Sequence, residues 1–187
     1  MINSHDISDI IYSNYTSRYR IYHIKRRLRE YDERKWSNDL FNDFNKVNGN
    51  KLRTYRIFKD RLETSSYIKL VQDRECRRIL SNFRCGSLPL AVETGRFTKP
   101  YTNLHDRKCI YCKLDKVEDE KHFLLECDFY SDLRDDFYAH ILNIYPTFCS
   151  FNQDEKLHFL MNSDFIQKKL SIFIIQIYKR RKCTVGA

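Results

Sequence analysis

Apolar residues recur at three- and four-residue steps along much of this chain, in several separate runs that each predict an amphipathic helix. In residues 1–31, Ile7, Ile10, Ile11, Tyr15, Tyr19, Tyr22 and Leu28 keep that spacing and predict a helical arm. Residues 32–47 repeat it through Trp36, Leu40, Phe41 and Phe44, and Asn48-Gly49-Asn50 supplies a turn signal at the end. In residues 73–85, helical geometry gathers Cys76, Ile79, Leu80 and Phe83 on one side and sets Arg74, Arg77, Arg78 and Arg84 opposite. Further helices are predicted over 128–142 through Phe129, Leu133, Phe137 and Ile141, over 154–161, and over 164–182 with a stripe of Ile166, Leu170, Phe173, Ile174 and Ile177.

Two stretches break the helical period. Residues 51–59 alternate Leu52, Tyr55 and Ile57 with charged neighbours, which fits either a short extended segment or a turn of helix. Residues 86–106 carry Pro89, Gly95 and Pro100 and predict an extended connector. The pattern therefore predicts a mainly α fold: a helical arm over 1–50, a central domain over 51–145, and C-terminal helices over 146–187 that pack on it.

Composition agrees, because 4 Gly and 3 Pro in 187 residues leave few tight hairpins. The longest apolar run, residues 170–178, is interrupted by Ser171 and Gln176 and falls short of the ~20 residues that span a bilayer, so no membrane partner is expected. Seven Cys, an odd number with no apolar leader before them, point to a reducing compartment, nuclear or cytoplasmic.

Charge changes the picture more. Residues 51–108 hold 14 Lys and Arg against 6 Asp and Glu (+8), whereas residues 109–163 hold 5 against 11 (−6) and residues 164–187 hold 6 against 1 (+5). A polyanionic partner, RNA or DNA, is expected to meet the segment before residue 109, where Arg74, Arg77, Arg78, Arg84, Arg96, Lys99, Arg107 and Lys108 are the candidate phosphate contacts and Tyr101 or Tyr111 candidate base stackers. Solvation, or pairing with acids such as Asp73 and Glu75, accounts for the same arginines equally well.

The acidic block contains the candidate chemistry. Cys109-Ile110-Tyr111-Cys112 is followed by His122 and Cys127, the ligand types and compact spacing of a tetrahedral zinc site. A complete four-ligand shell predicts one structural Zn2+ in a small Cys3His knuckle-like insertion, with no open position for catalysis and no small-molecule substrate. His105 is a rival to His122. His122 and Cys127 lie five residues apart and cannot point the same way from a continuous α-helix, so the helix must distort, end between them or begin near His122. Asp115, Glu118, Asp119 and Glu120 before His122 suit a helix start. The other four Cys are expected to be small buried hydrophobes.

The blocks FRCGSLPLAVETGRF (Phe83 to Phe97), RKCIYC (Arg107 to Cys112), EDEKHFLLEC (Glu118 to Cys127) and YSDLR (Tyr130 to Arg134) follow one another in an order that resembles the zinc-binding region found after the polymerase domain in reverse transcriptases of retrotransposons lacking long terminal repeats. The likeness covers roughly half the chain and is clearest over 77–134. It implies that Cys109, Cys112, His122 and Cys127 are the zinc ligands and that the module holds template RNA or target DNA. No polymerase accompanies it: the only adjacent aspartates, Asp135-Asp136, sit on an amphipathic helix. Two functions follow as expectations, a zinc-stabilised nucleic-acid-binding module without enzymatic activity, or a helical protein-interaction scaffold whose basic face pairs with an acidic partner or with the acidic block.

Overall fold

A computed structural model describes residues 10–11, 15–42 and 50–185 and divides the chain into two compact units, Met1–Asn42 and Asp43–Ala187. The first unit is dominated by one helix, α1 (Ser17–Phe41). Thr16 caps it by accepting from the Tyr19 N–H at 3.4 Å, and Arg26 pairs with Glu30 one turn on at 2.8 Å. The arm and the second amphipathic run are thus continuous through Tyr31, because no Gly or Pro interrupts them and the joining residues are strong helix formers. Of the described side chains of α1 only Leu40 is buried; Tyr15, Tyr19, Tyr22 and Leu28 are exposed. Ile7, Phe44 and the Asn48-Gly49 turn lie outside the described residues.

The second unit is helical, and among its described residues the only β-type pairing is an isolated bridge between Lys108 and Val117. Its elements are α2 (Tyr55–Phe58), α3 (Tyr67–Leu70), α4 (Arg74–Arg84), α5 (Ala91–Thr94), α6 (Ser131–Leu142), α7 (Gln153–Asn162) and α8 (Gln167–Val185). Residues 51–59 therefore take the helical alternative. The connector is less extended than expected, since α5 and a 3-10 turn at Leu104–Asp106 fold it back on itself.

Helix α4 starts where the Asp73 carboxylate accepts from the Cys76 N–H at 2.8 Å. It stops at Gly86, whose φ of +61° is open to glycine; Ser87 N–H reaches Asn82 O at 2.8 Å and Gly86 N–H reaches Phe83 O at 3.1 Å, a Schellman ending. Cys76, Ile79, Leu80 and Phe83 are buried as the pattern required. Their partner is α8, whose Leu170-to-Ile177 stripe is buried along its length, with Ile166 buried in the 3-10 turn just before it, and which also packs on α6, with Phe137 and Phe173 stacked at 4.5 Å. The C-terminal helices are in this way part of the same compact unit as the central segment. Among the four other cysteines only Cys76 is a buried hydrophobe; Cys85, Cys149 and Cys183 are exposed, because the first follows the end of α4, the second sits in the 3-10 turn Pro146–Ser150 and the third lies in the last turns of α8.

Candidate metal centre

The first half of the site is a tight reversal. Cys109 N–H donates to Lys116 O at 2.9 Å and Glu118 N–H to Arg107 O at 3.0 Å, which folds residues 107–118 back on themselves. Asp115 sits at the reversal with φ +53°, a conformation that a short polar side chain tolerates better than most. Cys109 and Cys112 project from this loop.

The second half answers the five-residue problem. Asp119 accepts from the His122 N–H at 2.8 Å and so starts a turn at the histidine. Residues His122–Glu126 then form a π-type turn, closed by Cys127 N–H donating to His122 O at 2.9 Å. The widened i-to-i+5 turn brings Cys127 back beside His122, which an α-turn does not do. Phe123, Leu124 and Leu125 anchor it in the core, and the buried Arg134 of α6 holds its carbonyls by donating to Leu124 O at 3.2 Å and to Cys127 O.

The four donor atoms lie within 4.8 Å of one another, with Cys109 Sγ 3.8 Å from Cys127 Sγ and Cys112 Sγ 3.4 Å from His122 Nε2. Cys109, His122 and Cys127 are buried and Cys112 is half-buried. His105 is exposed on its 3-10 turn and outside the cluster. The protonation pattern shows what such a cluster demands: the hydrogen bond from Cys127 holds the Cys109 thiol well below the usual thiol range, and the same contact pushes Cys127 up. Burial lowers the His122 imidazole, yet contact with Cys109 and the Glu126 charge outweigh it and raise it. Three sulfurs and an imidazole at these distances cannot all lose their protons unless a cation stands between them, so the donor set fits one metal ion. Glu126 Oε2 lies 3.6 Å from His122 Nδ1 and accepts from Lys116 at 2.9 Å, in the position of an outer carboxylate that orients a ligating histidine.

The basic residues before the site divide sharply. Arg84 is not on the solvent face: it follows Leu80 by one helical turn and is buried, donating to Met161 O at 2.8 Å and to Ser65 Oγ at 3.3 Å beneath the rings of Phe58 and Tyr67. Arg107 is buried too, its guanidinium spent on Val92 O at 2.8 Å, Thr102 O at 3.0 Å and the Tyr101 hydroxyl at 3.1 Å. Gly95 allows this, since a Cβ there would stand 2.6 Å from the Arg107 side chain. Arg96 pairs with Glu93 at 2.9 Å, Lys108 pairs with Asp115, and the half-buried Arg77 donates to Val71 O at 3.0 Å. Arg74, Arg78 and Lys99 remain exposed. Of the aromatic candidates, the Tyr101 ring already faces Arg107, and the Tyr111 ring lies between Phe129 and the Arg181 guanidinium.

Several residues that hold the site together were not singled out by the sequence. Glu118, buried, takes both arms of Arg181 from α8 at 2.8 and 2.9 Å and also accepts from the Ala91 N–H at 2.7 Å. Glu120, fully buried, binds Arg53 at 2.7 Å and Thr54 at 2.7 Å. Of the acidic run only Asp119 caps the turn; its two neighbours serve as anchors for segments distant in sequence. The opposite block charges were the one signal of such pairing, and they do not name partners. No protein-family model, curated protein or solved structure matches this chain.

Proposed function

We propose that the protein is a zinc-stabilised nucleic-acid-binding module, related to the zinc-binding region that follows the polymerase in retrotransposon reverse transcriptases and without polymerase activity of its own. Zinc is supported by the donor chemistry and by distance: an ion roughly 2.3 Å from each thiolate in a tetrahedron separates two sulfurs by about 3.8 Å. The Cys109–Cys127 separation is 3.8 Å. Four protein donors leave no open position, which favours a structural ion over a catalytic one. The relationship rests on the order of sequence blocks around these ligands.

The observation that carries the nucleic-acid reading is a groove between α4 and α8. Arg78, Lys179 and Lys182, all exposed and in no ion pair among the described residues, line a cavity of about 240 Å³ together with Glu75, Asn82 and Tyr178. Lys182 lies over the Tyr178 ring at 4.7 Å. Arg53, Arg84, Arg96, Arg107, Arg134 and Arg181 are held by carboxylates and carbonyls, whereas the three groove cations face solvent together and suit a phosphodiester chain. The candidate surface thus keeps Arg74, Arg78 and Lys99 and gains the two α8 lysines in place of Arg77, Arg84, Arg96, Arg107 and Lys108.

The test is binding of single-stranded RNA and DNA to the metal-loaded protein across a salt series. Affinity falls steeply with salt, and Arg78→Glu combined with Lys179→Glu weakens it at least tenfold. A flat salt response, or no effect of the double reversal, rejects the reading. The scaffold alternative then stands, favoured by Arg53–Glu120, Arg181–Glu118 and Arg180–Asp132, in which the acidic block already neutralises basic residues from both flanks.

A further inference from the structure

A second cationic cavity lies apart from both the metal cluster and the α4–α8 groove. A cavity of about 400 Å³ opens where the end of α2 and the loop after it meet α4 and α7, and Lys59, Arg84, Thr64 and Ser65 are in its wall. Lys59 is only 6% exposed and Arg84 only 2%. A lysine whose stem is this enclosed usually has a partner for its ammonium, and here that ammonium opens onto the cavity. Here Lys59 makes no ion pair or side-chain hydrogen bond among the described residues, and Arg84 spends its donors on a carbonyl and a hydroxyl, neither of them an anion.

The two cations also oppose one another. Burial, first, and then the positive charge of Arg84 lower the Lys59 ammonium, while Glu63 and Asp60 offset this in part. Those two carboxylates stand at the rim and are exposed, where water screens them. Ser65 Oγ accepts from Arg84 and keeps its own hydrogen free to donate, and Thr64 adds a second hydroxyl beside it. The inner wall thus sets the Lys59 and Arg84 cations beside the hydroxyls of Thr64, Ser65 and Ser66, with Asp60, Arg61 and Glu63, all exposed, around the opening.

We infer that this cavity between Lys59 and Arg84 binds a phosphate monoester. A carboxylate or a phosphodiester carries one negative charge and answers only one of the two cations, whereas a monoester carries about −1.5 to −2 near neutral pH and offers three acceptor oxygens. The volume admits a ligand of roughly mononucleotide size, within the ~300–1,000 Å³ of small-molecule sites. The monoester comes either from a free small molecule or from the 5′-phosphate end of a nucleic-acid strand. The site does not depend on the α4–α8 groove, and either can fail alone.

The experiment uses the full-length, metal-loaded protein. Inorganic phosphate, adenosine 5′-monophosphate and adenosine are titrated by calorimetry, and an oligonucleotide is compared with and without its 5′-phosphate. Phosphate and the monophosphate bind once per chain and raise the melting temperature; adenosine does neither. Lys59→Met, which keeps the length of the side chain and removes the charge, melts no lower than the parent without ligand and loses at least tenfold in phosphate affinity. Ser65→Ala keeps the fold and weakens binding several-fold. A preference for the 5′-phosphorylated strand over the mononucleotide identifies a strand end as the source, and the reverse identifies a small molecule. No saturable binding of either phosphate probe to the folded protein at millimolar concentration overturns the inference, as does unchanged affinity in Lys59→Met.

Discussion

The Glu118 carboxylate, six residues beyond Cys112, receives both arms of the Arg181 guanidinium from the last helix while its Oε2 accepts the N–H that opens α5. One buried side chain therefore joins the metal loop, the connector and α8. It explains how a small cluster of ligands can position helices that are distant in sequence.

Truncating one partner of such a pair strands the other's charge, which costs about 3–5 kcal/mol for a buried bridge. Glu118→Gln and Arg181→Met are each expected to lower unfolding free energy in urea by an amount near the lower end of that range, because Arg181 keeps some exposure. The double variant loses less than the sum of the two. Additive losses would show that the pair is not coupled.

Metal removal provides a second check. The protein is expected to hold one equivalent of metal, and Cys109→Ser and Cys127→Ser each abolish loading and lower the melting temperature. Because thiolates and a neutral imidazole are the ligands, acid competes with the ion, so retention falls as pH is lowered and loading releases protons. Calorimetry in two buffers of different ionisation enthalpy measures that release. Cys127, pushed up by its contact with Cys109, supplies one such proton. Loading with no proton release contradicts the donor assignment.

Gly95→Ala tests the path of Arg107. The new Cβ meets the Arg107 side chain at 2.6 Å, so the guanidinium must leave the Val92 and Thr102 carbonyls that it satisfies. A loss of about 1–3 kcal/mol is expected from overpacking at a filled site. Thermal denaturation measures it, and a neutral result would mean that Arg107 relocates without cost.

Stability at acid pH bears on Asp132. Hydrogen bonding to Arg180 holds its carboxyl down to about 2, below the ordinary aspartate value. A depressed folded-state value gives stability that is present above the unfolded value, near 4 by convention for aspartate (~3.9), and is lost as pH falls through the folded one. Asp132→Asn should flatten the fall in melting temperature between about pH 4 and pH 2. An unchanged acid limb would remove Asp132 from the account. The pair is exposed, so its effect at neutral pH is small.

By itself the sequence determined the longer helices and the Cys3His cluster. The three- and four-residue spacing in α4 and α8 places the side chains that become buried, since period alone decides which face of a helix is apolar. Cys109, Cys112, His122 and Cys127 were legible because ligand type and short spacing are local properties. The π-turn was half legible: a spacing of five positions from His122 to Cys127 required a departure from the α-helix, and the hydrogen bond from Cys127 to His122 decided which one.

Only the tertiary structure decided what each charge does. Arg78 and Arg84 are six residues apart on the same helix, yet one faces a groove and the other lies buried under Phe58 and Tyr67. Glu118 and Glu120 look like their neighbour Asp119, but their partners, Arg181 and Arg53, come from segments more than sixty residues away. A long flexible side chain reaches carbonyls, rings or carboxylates according to what the fold brings near, and that proximity is not written in the spacing of one segment.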